Sequence, residues 1–475
     1  MKNKIIYVPH NLDLERIIMK NPPSFEFDYE YAYFIVYTII KESYWKFKKI
    51  TNWTEFHNYK KVRSYMVRRS SIDLQTDRRD YNLHYDYLYK NNILWRDKYS
   101  EKAYRGYQIA PKYFGEQVRF IKILKPKTIK LLNPKDDNRD THYPLNKWFN
   151  TKLSIDTESA SESLNLSFND DINYYKYIKN CQLIANLNNG NINFSRKEYS
   201  DDRLHSDFTK FPSVLRKYLR YDGQYLGEVD ISSSVPFFMY YLFLSIVDIN
   251  QINQEVHTNF FKNPRFYEPA LKKTVGIVKL DPVEVEKFGK DILQGSYYLQ
   301  FIDMFDDEYY KSNSGYVLKR DFNYSKEDKL SIVKKQMLSW PNARVNKFKS
   351  EQAVFKKLYP TIHYFLTKFK TRRYIAREGI FKKKAEKIAK ESKINIKDTF
   401  QQHKKVSHLF LQLESFIMLD IVARKLNKSR SKIPFFTLHD CIITTKDNVE
   451  ELRRFMEEVF FSVVGVSPNF KTKLF

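Results

Sequence analysis

Two acids lie inside apolar stretches. One is in Tyr225-Leu226-Gly227-Glu228-Val229-Asp230-Ile231-Ser232-Ser233-Ser234. The other is in Ile433-Pro434-Phe435-Phe436-Thr437-Leu438-His439-Asp440-Cys441-Ile442-Ile443. Both stretches read as strands. A carboxylate in a buried strand is costly unless it is paired or holds a metal. Two such strands, side by side in one sheet, would present Asp230 and Asp440 to a pair of magnesium ions, the minimal equipment for phosphoryl or nucleotidyl transfer. The neighbouring backbone carbonyl of Ile231 is a further oxygen ligand suited to a hard cation. Each acid also has a plainer reading. Asp230 is placed to cap a helix starting near Pro236, and His439-Asp440 reads as the acidic turn of a hairpin.

The composition points to a polyanionic partner. The chain has 475 residues and a formal charge of +26, with a pI near 9.5. Nucleic acid is the default reading of such a charge. A solvated lysine-rich surface is the alternative. Aromatic residues make up 16% of the chain, and Tyr and Phe between Lys and Arg stack bases beside phosphate contacts. Cys181 and Cys441 are too few for a disulfide framework or a structural zinc site, which fits a reducing interior such as the cytoplasm. Met1-Lys2-Asn3-Lys4 precedes only a short apolar run, so no signal peptide is expected. The longest apolar run, Val235 to Val247, is too short to span a bilayer and reads as a buried helix.

Along the chain, residues 1–132 read as a basic, aromatic, mostly helical domain. Lys60, Lys61, Arg63, Arg68, Arg69, Arg78 and Arg79 interleave there with Tyr59, Tyr65, Tyr81, Tyr85 and Tyr87. This is either a nucleic-acid grip or an ordinary amphipathic domain. Residues 133–170 read as a linker or surface loop, being polar and then rich in Ser and Glu. A helix over 171–188 and an Asn189-Gly190 turn precede the Asp230 strand and its apolar helix, to about 247. Residues 248–400 read as mostly helical and basic. Helix 404–427, strand 433–445 and a helix starting near Asp447 complete 401–475.

Further candidates surround the two acids. Arg203, His205 and Arg216 precede the Asp230 strand and are candidate phosphate contacts, or else parts of a basic surface loop. The helix Asp328 to Trp340 carries Lys334 and Lys335, either of which could neutralise a triphosphate if it is not simply solvated.

Taken in order, these pieces resemble the family A DNA polymerases and, more distantly, the single-subunit phage-type RNA polymerases. Arg203-Leu204-His205-Ser206 looks like the Thr-Gly-Arg-Leu-Ser-Ser element of that family. Leu226 to Tyr240 resembles the first palm motif, and the helix 328–340 stands where the fingers helix belongs. Phe355-Lys356-Lys357-Leu358-Tyr359-Pro360 resembles an aromatic segment ending in Tyr-Pro. Leu411-Gln412-Leu413-Glu414-Ser415 resembles the Gln-containing palm helix, and Thr437-Leu438-His439-Asp440 the last palm motif. The resemblance covers roughly residues 195–465. It departs from the family at Cys441, where a Glu is usual in the DNA polymerases, and at Val235, where a Glu helps exclude a 2′-hydroxyl. The fingers helix lacks the usual Arg, and Trp340-Pro341 stands where Tyr-Gly would end it.

The resemblance implies an α+β right-hand polymerase. It would have a split antiparallel-sheet palm, a helical fingers insertion over 248–400 and a mostly helical N-terminal domain. It implies two magnesium ions, replaceable by manganese, on Asp230, Ile231 and Asp440. It further implies Lys334 or Lys335 on the triphosphate, and Val235 or Trp340 beside the sugar. Arg203, His439 and Gln412 would lie along the template-primer. The partners would be a DNA template-primer and nucleoside triphosphates, with RNA as an alternative template. Ile155-Asp156-Thr157-Glu158 looks like the first acidic motif of a proofreading exonuclease. The 47 residues from Asp156 to Arg203 (203 − 156) are too few for such a domain, so no proofreading is expected. The rival readings are an RNA polymerase or primase on the same fold, a metal-dependent nuclease, and a non-catalytic nucleic-acid-binding protein.

Overall fold

The computed structural model describes residues 3–47, 67–68, 81–96, 106–133, 142–168, 174–196, 201–248, 268–313, 324–371 and 404–475. It is a mixed helix-and-sheet protein whose assigned strand pairs are antiparallel. The chain forms two compact units. One comprises 1–194, 205–226 and 474–475; the other comprises 195–204 and 227–473. Of the basic and aromatic residues expected near the N-terminus, Lys60, Lys61, Arg63, Arg69, Arg78, Arg79, Tyr59 and Tyr65 lie outside the described residues. Tyr85 and Tyr87 lie in helix Tyr81–Lys90, and both are buried.

In the first unit, strand Lys4–Pro9 pairs with Val118–Ile123 in register from Lys4↔Ile123 to Pro9↔Val118. Helices Tyr29–Phe47 and Tyr174–Asn189 pack on strand Lys4–Pro9. A strand edge buried under a helix needs partners for its backbone. Asn189 supplies them: its side-chain amide donates to the Ile5 carbonyl and its oxygen accepts from the Ile5 N–H, both at 2.7 Å. The Tyr7 hydroxyl donates to Gln182 at 2.9 Å, and Gln182 donates to Tyr37 at 3.2 Å, which links three buried side chains of this core.

The segment expected as a linker or surface loop, 133–170, carries strand Leu153–Ile155 and helix Thr157–Leu166. Asp156 explains the helix. Its carboxylate accepts from the Ser159 N–H at 3.2 Å and the Ser159 hydroxyl at 2.8 Å, a side-chain N-cap. Ala160 and Leu164 give the helix a buried face. The acid of the Ile155-Asp156-Thr157-Glu158 motif is therefore occupied as a cap.

In the second unit, strand Gln224–Ile231, which enters it at Gly227, lies beside Cys441–Thr445. That strand forms a hairpin with Phe435–Leu438. Leu438 pairs with Cys441, leaving His439-Asp440 as a two-residue loop with His439 at φ 57°. Strand Phe470–Leu474 also pairs with the Asp230 strand.

Helix Ser234–Val247 follows directly and is buried on nearly every face, as its uniformly apolar sequence dictates. Pro236 falls in its first turn, where no intrahelical N–H is needed. Gly289 of helix Pro282–Leu293 meets this helix so closely that a Cβ there would lie 2.2 Å from the Tyr240 ring. Helix Lys326–Ser339 begins two residues before the expected Asp328. Ser325 and Asp328 form a capping box that sets the start.

The long helix runs through Lys404–Ser415, a π-helical stretch Phe416–Ala423, and Arg424–Ser429. Among the described residues, Val406–Ser429 is the one helix long and apolar enough to cross a membrane. Some 67% of its most apolar window is buried in the protein, as in a core helix.

Candidate active site

Asp230 is the penultimate residue of its strand and half-buried. Asp440 occupies the hairpin loop of the adjacent strand. The two are tied through the backbone, because the Ile231 N–H donates to the Asp440 carbonyl at 3.3 Å. Their side chains interact as well. Burial raises the Asp230 carboxyl to about 6, and the Asp440 and Glu228 charges push the same way. Lys471 and Lys334 pull it back down. The Lys334 charge thus acts on Asp230. It also lies 5.9 Å from the Tyr298 ring centroid. Lys335, the next residue, is also exposed, and its carbonyl accepts from Ser339 at 2.7 Å.

A third acid stands beside this pair. Glu414, in helix Lys404–Ser415, is 1% exposed. Its carboxyl is raised to about 7, chiefly by burial, with Arg203 opposing and Asp440 adding to the rise. Arg203 donates to Glu414 Oε1 through Nε at 2.9 Å and Nη2 at 2.5 Å. The Ser234 hydroxyl donates to Oε2 at 2.8 Å. Glu414 thus joins the segment bearing Arg203 to the first turn of the helix that follows Asp230.

A second ion-paired cluster steadies the same segment. Arg196 makes a bidentate pair with Asp420 at 2.9 and 2.6 Å and also donates to the Asp202 carboxylate at 2.9 Å. The Asp202 backbone takes a left-handed φ of 55°. That conformation is strained for a residue other than glycine, and the Arg196 contacts hold it.

The other expected residues are placed as follows. Val235 is the second residue of helix Ser234–Val247 and half-buried. His439 forms the turn next to Asp440. Gln412 is 0% exposed and Trp340 is 1% exposed. Trp340 packs on Phe355, with ring centroids 4.8 Å apart, and the Lys370 ammonium donates to its carbonyl at 2.8 Å. Both side chains are enclosed by protein. Tyr359 is likewise internal, donating to Asp291 at 2.6 Å and accepting from Gln300 at 2.7 Å. His205 and Arg216 belong to the first unit, and both are partly exposed.

Sequence reasoning missed Glu414, Ser234 and Lys471. Glu414 carried the same signal that picked out Asp230 and Asp440, an acid in an apolar run, here on a helix. Its partner stands 211 positions away, which no local pattern reveals.

The donor set fits magnesium. Among the described residues no group of three or more His, Cys, Asp or Glu is arranged to hold a metal. Magnesium needs no such cage, since it is usually held by one or two carboxylates together with water and substrate phosphates. Asp230 and Asp440 are two oxygen-donor acids close enough to repel each other, an arrangement that a shared cation relieves.

No protein-family model and no curated protein matches this chain. Among solved structures, the POL domain of Pol1 from M. smegmatis, in complex with DNA primer-template and dNTP, aligns with a TM-score of 0.32 and 9% identity. The alignment covers 66% of this chain and 51% of that one, so the chain spans about half the length of the solved protein it is similar to.

Proposed function

We propose that this chain is a template-dependent nucleotidyltransferase, a DNA polymerase without proofreading that uses divalent magnesium. The observation that carries the reading is the juxtaposition of Asp230, near the end of its strand, and Asp440, in the hairpin loop of the adjacent strand, with the Lys334 charge acting on the Asp230 carboxylate. The order of the motifs around these residues supports it. Residues 248–400 would serve as the fingers insertion, and 227–247 with 401–473 as the palm.

In this reading Asp230 and Asp440 hold magnesium through their carboxylate oxygens. When bound, magnesium lowers the pKa of a primer 3′-hydroxyl and offsets charge on the departing pyrophosphate. Lys334 pairs with the triphosphate of the incoming nucleotide. His439, fixed in the turn beside Asp440, orients the primer terminus. Arg203 is held by Glu414, so its remaining donors reach the template-primer from a fixed position. Val235 lines the sugar. A ribonucleotide-using enzyme is the second reading, favoured by the apolar side chain at 235, which offers no polar partner to a sugar.

The test is extension of a labelled primer on a DNA template by the full chain, with dNTPs and NTPs in separate arms. Magnesium-dependent extension is expected, greater with dNTPs. Asp230→Asn and Asp440→Asn should each lower it on the order of 10³-fold while template-primer binding persists. Absence of incorporation in both arms, or near-parental turnover in either mutant, overturns the reading. Shortening of the primer without incorporation would make the two acids those of a nuclease.

A further inference from the structure

One tyrosine of the first unit is exposed beside a cation that is fixed in place. Strand Leu219–Tyr221 returns through Asp222-Gly223, both at positive φ (52° and 80°), into the strand that begins at Gln224. Two residues of this kind form the tight turn that suits a twisted hairpin. Tyr225 pairs with Arg220 across the ladder, and Arg220 with Ser154 on the next strand, so the three residues form one row across the sheet. The Arg220 guanidinium carbon lies 3.7 Å from the Tyr225 ring centroid. Its Nη1 donates to the carbonyls of Lys217 and Leu219 at 2.7 and 2.8 Å, which fixes the cation over the ring. Tyr225 is nevertheless 50% exposed.

A second cation lies close by. Exposed Lys217 sits 4.9 Å from the Tyr218 ring centroid. Of the acids nearby, Asp222 pairs with Lys152 at 2.7 Å, and Asp156 caps its helix while its charge also reaches Arg220.

We propose that this hairpin face binds single-stranded nucleic acid, with an unpaired base stacked on the exposed face of Tyr225 and flanking phosphates on Arg220 and Lys217. Base-on-aromatic stacking backed by an arginine is a sequence-tolerant mode of binding single strands. A net charge of +26 matches a polyanion better than a protein partner. The inference concerns binding alone, so it survives or fails independently of the proposed catalysis.

The experiment measures affinity of the full chain for a fluorescent oligodeoxythymidylate and for an abasic strand with the same number of phosphates. The parent should prefer the base-bearing strand about tenfold, the effect of about 1.4 kcal/mol of stacking. Tyr225→Ala should bind the two strands alike, and Tyr225→Phe should behave as the parent. Tyr225→Leu, which keeps apolar bulk without a π face, should match Tyr225→Ala. Arg220→Gln should weaken binding to both strands and flatten the salt dependence. A parent that does not distinguish the strands, or a Tyr225→Leu variant that still does, overturns the proposal.

Discussion

Glu414 Oε1 takes both donors of Arg203, at 2.9 and 2.5 Å, while Oε2 takes the hydroxyl of Ser234 four residues beyond Asp230. One carboxylate, 1% exposed, thus links the Arg203 segment to the helix that begins after the first acid of the site.

Breaking that pair from one side leaves an uncompensated buried group. Arg203→Ala should therefore cost about 3 kcal/mol or more of stability. The double variant Arg203→Met with Glu414→Leu should recover much of the loss, since a well-packed apolar pair replaces the buried ion pair. Urea unfolding of the parent, of Arg203→Ala, of the singles Arg203→Met and Glu414→Leu, and of the double variant measures this. A double variant as unstable as the sum of its singles would mean that the pair is not the source of the cost.

The two lysines of helix Lys326–Ser339 should separate in kinetics. Lys334→Ala should raise KM for the nucleotide about tenfold, a loss of about 1.4 kcal/mol. Lys335→Ala should leave KM within about twofold of the parent. Equal effects would show that the triphosphate does not distinguish the two positions.

Stability without divalent ions should depend on pH through Asp230. Burial holds its folded carboxyl at about 6, above the ordinary value of 3.8. Between those values the folded chain binds more protons than the unfolded chain, so this group makes stability fall as pH rises through the window. Asp230 is half-exposed, and solvent screening reduces its contribution to about 1 kcal/mol. Glu414, raised to about 7, acts in the same direction over a higher window, so the Asp230 contribution is read as parent minus Asp230→Asn. Unfolding in EDTA between pH 4 and 7 should show Asp230→Asn gaining on the parent as pH rises. Adding magnesium at the upper end should restore the parent. A constant difference across the window would remove Asp230 from the account.

Sugar choice should respond to position 235. Val235→Ala takes methyl groups from a half-buried side chain at the start of helix Ser234–Val247. Use of NTP relative to dNTP should rise about tenfold in kcat/KM, with dNTP turnover nearly unchanged. An unaltered ratio would place the sugar elsewhere.

The sequence alone determined the features governed by neighbours in the chain. Asp230 and Asp440 stood out because an acid in an apolar strand is costly wherever that strand packs. The hairpin at His439-Asp440 was legible from two apolar runs around a polar pair. The start of helix Lys326–Ser339 was missed by two residues because the Ser325–Asp328 cap was passed over, although its signature was present. Helix Thr157–Leu166 was missed because its Ser and Glu residues resemble a loop, and only the Asp156 cap and the buried Ala160 and Leu164 reveal it. Tertiary structure decided the rest. It gave Arg203 a carboxylate partner 211 positions away, brought the Lys334 charge to bear on Asp230, and enclosed Trp340 and Gln412. Capping and periodicity act over a few residues and so are written locally, whereas burial and ion pairing depend on which distant surfaces the packed chain brings together.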